Sequence, residues 1–121
     1  MENNLSKSLE IAKQFLGEKV EIVIDRPLCS KHPKHGFIYE VNYGYIKGVK
    51  APDGEDLDAY YLGGNQAQEI VEGVVIAIIH RLDDDDDKLV VILENTSITD
   101  DEIEEAVAFQ EKWFKHEILR V

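Results

Sequence analysis

The sequence predicts a mainly β fold, a small and mostly antiparallel curled sheet or barrel with an N-terminal and a C-terminal helix. Short apolar or alternating runs fill the middle of the chain, and amphipathic stretches lie at both ends. A parallel sheet would require strands that alternate with helices along the chain, and the sequence shows no such alternation. The 121 residues, 44% of them hydrophobic, can bury one core but not two, so we expect a single domain, residues 1–121.

The first predicted elements are a helix and a strand. Apolar side chains recur at helical spacing over residues 5–16, and Gly17 follows as a C-terminal stop. Residues 20–24 are β-branched and alternating, which predicts a strand that ends at Asp25.

The middle of the chain predicts a loop followed by several short strands. Residues 26–36 carry two prolines, two histidines and three cations, so we expect a basic loop there. A turn is expected at residues 52–54. Strands are expected at residues 37–41, 43–46, 58–62, 74–79 and 89–93. The last two are continuous apolar runs, and we expect them to form a hairpin with an acidic tip.

A second helix is predicted at the C-terminus. Thr99 and Glu102 form a capping-box pattern at its start. Behind them, side chains at helical spacing continue to the end of the chain, at Ile103, Ala106, Val107, Gln110, Trp113, Phe114 and Ile118. This pattern predicts the longest helix of the protein.

Charge and cysteine content exclude several classes of function. The 25 Asp and Glu against 13 Lys and Arg give a formal net charge of -12, which disfavours nucleic acid as a partner because such binding depends on cationic side chains. The single cysteine, Cys29, cannot form an internal disulfide, and neither a signal peptide nor a membrane span is visible. We therefore expect a cytoplasmic location and no membrane partner. The sequence leaves a homo-oligomer open.

The acidic residues are concentrated in two short clusters. Asp53, Glu55, Asp56 and Asp58 lie around one predicted turn, and residues 83–87 are five consecutive aspartates. A divalent cation relieves the repulsion between such carboxylates and takes oxygen ligands, although a solvated turn also explains either cluster alone. Lysines, histidines and tyrosines accompany the clusters and are suited to bind phosphate oxygens.

Several segments resemble motifs of the soluble family I inorganic pyrophosphatases. Residues 39–46, Tyr-Glu-Val-Asn-Tyr-Gly-Tyr-Ile, are similar to that family's Tyr-Pro-any-Asn-Tyr-Gly-Tyr/Phe-Ile segment. Residues 53–58, Asp-Gly-Glu-Asp-Leu-Asp, follow at a similar separation and resemble its Asp-Gly-Asp-Pro-hydrophobic-Asp motif. Asp83 and residues 86–90 resemble a later pair of metal-binding aspartates and the lysine after them.

The resemblance implies an OB-like five-stranded barrel with Mg²⁺ at its mouth and hydrolysis of inorganic pyrophosphate, a small phosphate-containing substrate. It assigns the metal to four aspartates, Asp53, Asp58, Asp83 and Asp86. The catalytic residues it implies are Glu55, in the position of the carboxylate that activates the attacking water, and Tyr43. It implies that Tyr43, Lys34 and Lys88 bind phosphate oxygens.

The chain also departs from the family pattern. Glu55 stands where the family has Asp, and Asp56 where it has Pro. Trp113 and Phe114 stand roughly where it has a Tyr-Lys pair, and a hairpin with a phosphate-binding arginine is missing. Candidate substitutes for that arginine are Arg26, Lys31, His32 and His35. Alternative interpretations are a non-catalytic module that binds a metal or phosphate ligand, and a hydrolase of another small phosphoanhydride.

Overall fold

The computed structural model describes residues 7–51, 54–64, 66–82 and 86–120. These residues form two helices and six strands in the order α1 (Lys7–Lys13), β1 (Lys19–Arg26), β2 (Asn42–Lys50), β3 (Asp56–Tyr61), β4 (Ile70–Arg81), β5 (Lys88–Ile92), α2 (Asp100–Glu111) and β6 (His116–Arg120). Of the turn predicted at residues 52–54, only Gly54 lies within the described residues. No helix in these ranges is long and apolar enough to cross a membrane.

Five of the strands close into a barrel. β1 pairs with β2, β2 with β3, β3 with β5 and β5 with β4, and β4 pairs back to β1. Among these described pairings, β3 and β5 are parallel and the others are antiparallel. The predicted barrel with two helices is therefore confirmed, and so is the hairpin formed by β4 and β5.

β4 is long enough to pair with two strands along one edge. Residues 70–74 pair with β1, and residues 77–81 pair with β6. β5 occupies the opposite edge, at residues 74–79. The barrel therefore has an appended strand where β4 extends beyond the end of β1.

The prediction of a helix that continues to the end of the chain was wrong. α2 ends at Glu111, and a turn follows in which the Phe114 N–H donates to the Glu111 carbonyl at 2.9 Å. Beyond β1, the edge of β4 presents backbone N–H and C=O groups that need partners, and β6 supplies them. This pairing overrides the helical periodicity, so Ile118 lies in a strand and Trp113 is exposed.

The strand predicted at residues 37–41 was also wrong. The connection between β1 and β2, residues 27–41, folds back on itself. It contains most of the basic loop predicted at residues 26–36, and the name basic loop is used below for the whole connection. The Cys29 N–H donates to the Tyr39 carbonyl at 2.7 Å, and the Tyr39 N–H donates to the Ser30 carbonyl at 2.8 Å. Because β1 already pairs with β2 and β4 on its two edges, it offers residues 37–41 no ladder to join.

Two apolar clusters lie on the two faces of the barrel wall. The first contains side chains from all five barrel strands and from α1, such as Leu57 and Leu9, and it fills the barrel interior. The second joins the outer face, including Tyr60, to Ile103 and Val107 of α2. Neighbouring residues of β3 and β5 alternate between the two clusters, so both faces of the sheet are buried where α2 covers it.

The start of α2 is capped as the sequence predicts. The Thr99 hydroxyl accepts from the Glu102 N–H at 3.1 Å, and the Glu102 carboxylate accepts from the Thr99 N–H at 2.8 Å. The hydrogen bonds from Thr99 hold the pKa of Glu102 below its usual value. The cap fixes the first turn of α2, and thereby the positions that Gln110 and Glu111 take over the sheet.

Gly44 marks the closest approach of β1 and β2. A Cβ atom on Gly44 would lie 1.9 Å from the Val23 carbonyl oxygen and 2.8 Å from the Ile24 Cα atom. Because both atoms belong to the backbone, only a separation of the two strands would relieve the contact.

We predict that Gly44→Ala lowers the free energy of unfolding by about 1–3 kcal/mol, since the added methyl group overpacks the strand pair. Urea unfolding followed by circular dichroism measures this loss. Gly64→Ala is the matched control, because its Cβ would approach the Tyr61 ring no closer than 4.0 Å. An equal loss in both variants would contradict the steric explanation.

His116 links β6 to α2. Its Nε2 lies 2.8 Å from Glu104 Oε1, and its Nδ1 lies 3.0 Å from the Phe114 carbonyl oxygen. Burial alone disfavours the imidazolium, but these two acceptors outweigh burial and raise the pKa of His116 above its usual value. The charged form of His116 is therefore more favoured in the folded than in the unfolded protein.

We predict that the His116–Glu104 pair stabilises the protein most in mildly acidic solution. The pKa is higher in the folded than in the unfolded state, so the stabilisation is fully present below about pH 6.5 and is lost as the pH rises through the folded pKa. Because Glu104 is half exposed, Glu104→Gln should cost only about 0.5–1 kcal/mol at low pH and less at high pH. Urea unfolding at a series of pH values tests this, with Glu105→Gln as control. A cost that grows with pH would contradict the prediction.

Candidate functional site

The Lys88 ammonium lies between two carboxylates. Its Nζ is 2.8 Å from Asp58 Oδ2 and 3.0 Å from Asp86 Oδ1, and the Lys88 side chain is only 4% exposed. The parallel register pairs Ala59 of β3 with Leu89 of β5, which brings the preceding residues of both strands to one level and one face. Asp58, Asp86 and Lys88 thus form one group, here called the Lys88 ion cluster.

Tyr43 borders the Lys88 ion cluster. Its side chain is buried, and the Lys88 Nζ atom lies over its ring, 5.6 Å from the ring centroid. Burial, together with the charges of Asp58 and Asp86, raises the pKa of Tyr43 well above its usual value. Burial disfavours the charge on Lys88, but the same two carboxylates raise the pKa of Lys88 above its usual value. Lys88 therefore stays a cation, and Tyr43 stays a neutral hydrogen-bond donor.

Arg81, at the end of β4, is a second buried cation, which the sequence interpretation missed. Its Nε and Nη2 donate to the two carboxylate oxygens of Glu111 at 2.8 and 2.9 Å, and its Nη1 lies 3.6 Å from Asp86 Oδ2. Although burial opposes the charge, Glu111 and then Asp86 hold the pKa of Arg81 above its usual value. Asp86 is therefore shared between Arg81 and Lys88.

Glu111 is also part of a buried hydrogen-bond chain that joins α2 to the sheet. The Tyr60 hydroxyl donates to Glu111 at 2.6 Å, and the Gln110 amide donates to the Tyr60 hydroxyl at 2.6 Å. The Tyr39 hydroxyl donates to Oε1 of the Gln110 side chain at 3.0 Å. The sequence held one signal for this network: Glu111 lies four residues after Val107 on the buried face of α2, where a carboxylate needs a partner.

Asp87, the last aspartate of the second acidic cluster, has a structural role. Its two carboxylate oxygens lie 3.0 Å from the Arg81 backbone N and 2.9 Å from His80 Nδ1, and its own N–H donates to the Ser8 hydroxyl of α1. Burial raises the pKa of Asp87 despite these contacts. Asp87 therefore ties α1 to the hairpin, while Asp86 faces the Lys88 ammonium.

A cavity of about 820 Å³ lies between the outer face of the sheet, the basic loop and the turn after α2. Arg81, Lys88 and Lys112 line it with positive charge, and Tyr43 and Asp86 also contribute to its walls. The remaining walls are mainly rings, from His32, His35, Phe37, Trp113 and Phe114. This cavity is here called the aromatic cavity.

A smaller recess of about 310 Å³ contains carboxylates. Its lining residues are Asp25, Tyr45, Lys50, Glu55, Asp56 and Asp58. The Lys50 ammonium lies 2.9 Å from Asp56 Oδ1, and burial raises the pKa of Asp25. Asp58 lines this acidic recess and Lys88 lines the aromatic cavity, so their ion pair lies where the two meet.

The structure brings together four of the predicted site residues, Tyr43, Asp58, Asp86 and Lys88. Glu55 is exposed and lines the acidic recess beside Asp58. Lys34 is exposed on the basic loop and does not line the aromatic cavity. Asp53 and Asp83 lie outside the described residues.

Of the candidate substitutes for an arginine, His32 and His35 line the aromatic cavity, whereas Arg26 and Lys31 do not. His32 Nδ1 accepts from the N–H groups of Lys34 and His35 at 3.0 and 3.1 Å. Burial and the nearby positive groups lower the pKa of His32. His32 therefore brings a neutral ring to the cavity rather than a cation.

The acidic side chains around the Lys88 ion cluster offer oxygen donors, the type that Mg²⁺ prefers. Within the described ranges, no group of three or more His, Cys, Asp or Glu side chains converges to hold a metal ion. Asp58 and Asp86 each present one oxygen to Lys88, and the other two predicted ligands lie outside those ranges. The described donors fit Mg²⁺ in chemistry but make up only part of a site.

A protein-family model matches this chain in sequence, and solved structures match it in fold. The Pyrophosphatase family model, described as inorganic pyrophosphatase, matches residues 6–118. The fold is similar to that of an inorganic pyrophosphatase from Neisseria gonorrhoeae, at 19% identity over 77% of this chain and 72% of that chain, with a TM-score of 0.62. The enzyme from Helicobacter pylori matches at 14% identity over 84% of both chains, with a TM-score of 0.65.

A third similar structure, an inorganic pyrophosphatase from Ehrlichia chaffeensis, matches at 12% identity over 98% of this chain and 93% of that chain, with a TM-score of 0.68. At these identities the structural likeness shows the fold alone. Comparison with curated protein sequences gives no significant match.

We predict that Glu111→Gln lowers the free energy of unfolding by about 3 kcal/mol, because it leaves the buried Arg81 guanidinium without its main carboxylate partner. Urea unfolding followed by circular dichroism measures the loss. The double variant Arg81→Met with Glu111→Gln removes the isolated charge and should be more stable than Glu111→Gln alone. A double variant that is no more stable than the single one would contradict this explanation.

Proposed function

Because the chain belongs to the inorganic pyrophosphatase family, we propose that it hydrolyses inorganic pyrophosphate to two phosphate ions with Mg²⁺ as its cofactor. The observation that carries this proposal is the Lys88 ion cluster, where cationic and carboxylate groups meet at the junction of two recesses. Hydrolysis of a phosphoanhydride needs both kinds of group, one for phosphate oxygens and one for metal ions.

In this proposal Lys88, Arg81 and Tyr43 bind the substrate's phosphate oxygens. All three side chains line the aromatic cavity. The charges of Lys88 and Arg81 and the protonated Tyr43 hydroxyl are fixed by their surroundings, so the donors need no change of protonation state when phosphate arrives. Lys34 is proposed as a further contact from the basic loop.

We assign the metal to Asp58 and Asp86, together with Asp53 and Asp83. When bound, Mg²⁺ supplies neutralising charge and lowers the pKa of a coordinated water. Asp58 and Asp86 would then turn oxygens away from Lys88, and the Lys88 ammonium would become free to bind phosphate. The ion pairs of Lys88 with Asp58 and Asp86 support this proposal, because they hold the ammonium beside two of the proposed metal ligands.

Glu55 is proposed to take the proton of the attacking water. Its exposure and its place beside Asp58 in the acidic recess support this role. The water oxygen forms a bond to one phosphorus atom, the bond from that phosphorus to the bridging oxygen breaks, and the second phosphate leaves with the bridging oxygen.

A non-catalytic module that binds a metal or phosphate ligand is the alternative. It is favoured by one observation, that carboxylates already neutralise both buried cations of the aromatic cavity. In either case the proposed partner is a small phosphate-containing molecule, not nucleic acid or a membrane. A cytoplasmic location stays a prediction from the sequence, which leaves a homo-oligomer open.

The deciding experiment measures phosphate release from pyrophosphate by the purified protein with Mg²⁺ and with a chelator. The proposal expects release with Mg²⁺ and none with the chelator. No release with any divalent cation would contradict it, and calorimetric binding of pyrophosphate without turnover would favour the binding module.

We predict that Asp58→Asn lowers kcat/KM for pyrophosphate more than about 100-fold, beyond the 10- to 100-fold typical of residues that only support a metal ligand. The free energy of unfolding should fall by only about 1 kcal/mol, because Asp86 still faces Lys88. Asp100→Asn is the matched control, since it makes the same chemical change on the exposed surface of α2. Equal activity of Asp58→Asn and Asp100→Asn would contradict the metal assignment.

A further inference from the structure

The aromatic cavity has more room than a diphosphate fills. Its volume of about 820 Å³ lies in the range of roughly 300–1,000 Å³ that is typical of pockets for whole organic ligands. The strands contribute its charged floor, with Lys88 and Arg81, while the basic loop and the turn after α2 contribute its rings. A ligand that fills the cavity would therefore combine anionic groups with a flat apolar part.

Trp113 presents a largely exposed ring at this cavity. Its side chain is 58% exposed, yet neighbours hold it on two sides. The Phe37 ring lies 5.4 Å from it at an interplanar angle of 34°, and the Lys112 ammonium lies 4.8 Å from its centroid. Phe37 packs in turn against Phe109 of α2 at 5.9 Å. A ring that is held in place and is more than half exposed is suited to stack on a planar ligand.

We propose that the site accepts nucleoside diphosphates, with the base stacked at Trp113 and Phe37 and the diphosphate bound by Lys88 and Arg81. This inference rests on the proposed phosphohydrolase function of the same site. A free nucleotide carries both kinds of group, since its diphosphate suits the cationic floor of the cavity and its base suits the aromatic rings. A nucleic-acid chain does not suit it, because the formal net charge of -12 would repel the chain's remaining phosphates.

The reaction follows the same course as with pyrophosphate. The water oxygen bonds to the terminal phosphorus, and the bond between that phosphorus and the bridging oxygen breaks. The bridging oxygen leaves as part of the nucleoside monophosphate, and inorganic phosphate and one proton are released. The base lies outside this exchange and contributes only to binding.

Trp113 is the single tryptophan of the chain, so intrinsic fluorescence reports on the proposed stacking position directly. The probe is adenosine α,β-methylene diphosphate, which cannot be cleaved between its phosphorus atoms, added to the full chain with Mg²⁺. We expect saturable quenching by this probe and much less by methylenediphosphonate, which carries the two phosphorus groups without the base. Equal effects of the two ligands would overturn the proposal.

A variant series then tests the stacking by calorimetry. Loss of one base–aromatic stack should raise the Kd of the nucleotide probe roughly tenfold to hundredfold in Trp113→Ala. Trp113→Phe, which keeps a ring, should recover part of the affinity. Ile70→Ala removes an equally exposed apolar side chain, 58% exposed, outside the cavity and should leave the Kd unchanged. An unchanged Kd in Trp113→Ala would overturn the proposal.

Phosphate-release assays separate this inference from the proposed function. Release from pyrophosphate but not from adenosine diphosphate would overturn the inference and leave the proposed function standing. Release from adenosine diphosphate but not from pyrophosphate would support the inference and contradict the proposed function. Binding of the nucleotide probe without any release from adenosine diphosphate would overturn the hydrolysis of nucleotides.

Discussion

The site depends on the ion pairs that the Lys88 ammonium forms with the carboxylates of Asp58 and Asp86. A buried cation is tolerated only with close partners of opposite charge, and both partners come from elements that the barrel brings together. Parallel pairing of β3 with β5 brings Asp58 to Lys88, and the hairpin of β4 and β5 brings Asp86 to Arg81. The strand pairings that close the barrel therefore also assemble the charged site.

The buried Arg81–Glu111 pair extends this coupling to α2. It anchors the end of the helix to the sheet, and the hydrogen bonds of Tyr60 and Gln110 complete the contact. The turn that follows α2 then places Trp113 at the aromatic cavity, before β6 returns to the edge of β4. The same buried polar groups thus stabilise the fold and give the cavity its cationic floor and aromatic rim.

Local patterns predicted the parts of the fold that local interactions determine. The alternating and apolar runs predicted all five barrel strands, and Thr99 with Glu102 predicted the start of α2. Long-range strand pairing determined the parts of the fold that were predicted wrongly. The end of the chain forms β6 and not a helix, because β4 had an unpaired edge. Residues 37–41 form no strand, because the edge of β1 is already paired with β2. In the site, the motifs identified Asp58 and Lys88, but only the parallel register revealed that they pair. No local pattern indicated a role for Arg81, because its partner, Glu111, is distant in sequence.

The central claim is that Lys88 and a divalent cation share the oxygens of Asp58 and Asp86, and that the metal frees Lys88 for phosphate. Lys88→Met tests it most directly, with Mg²⁺ affinity measured by calorimetry without substrate and kcat/KM measured with pyrophosphate. We expect the variant to bind Mg²⁺ more tightly, because no ammonium competes for the carboxylates, and to hydrolyse pyrophosphate more slowly. Weaker Mg²⁺ binding or unchanged hydrolysis would contradict this account.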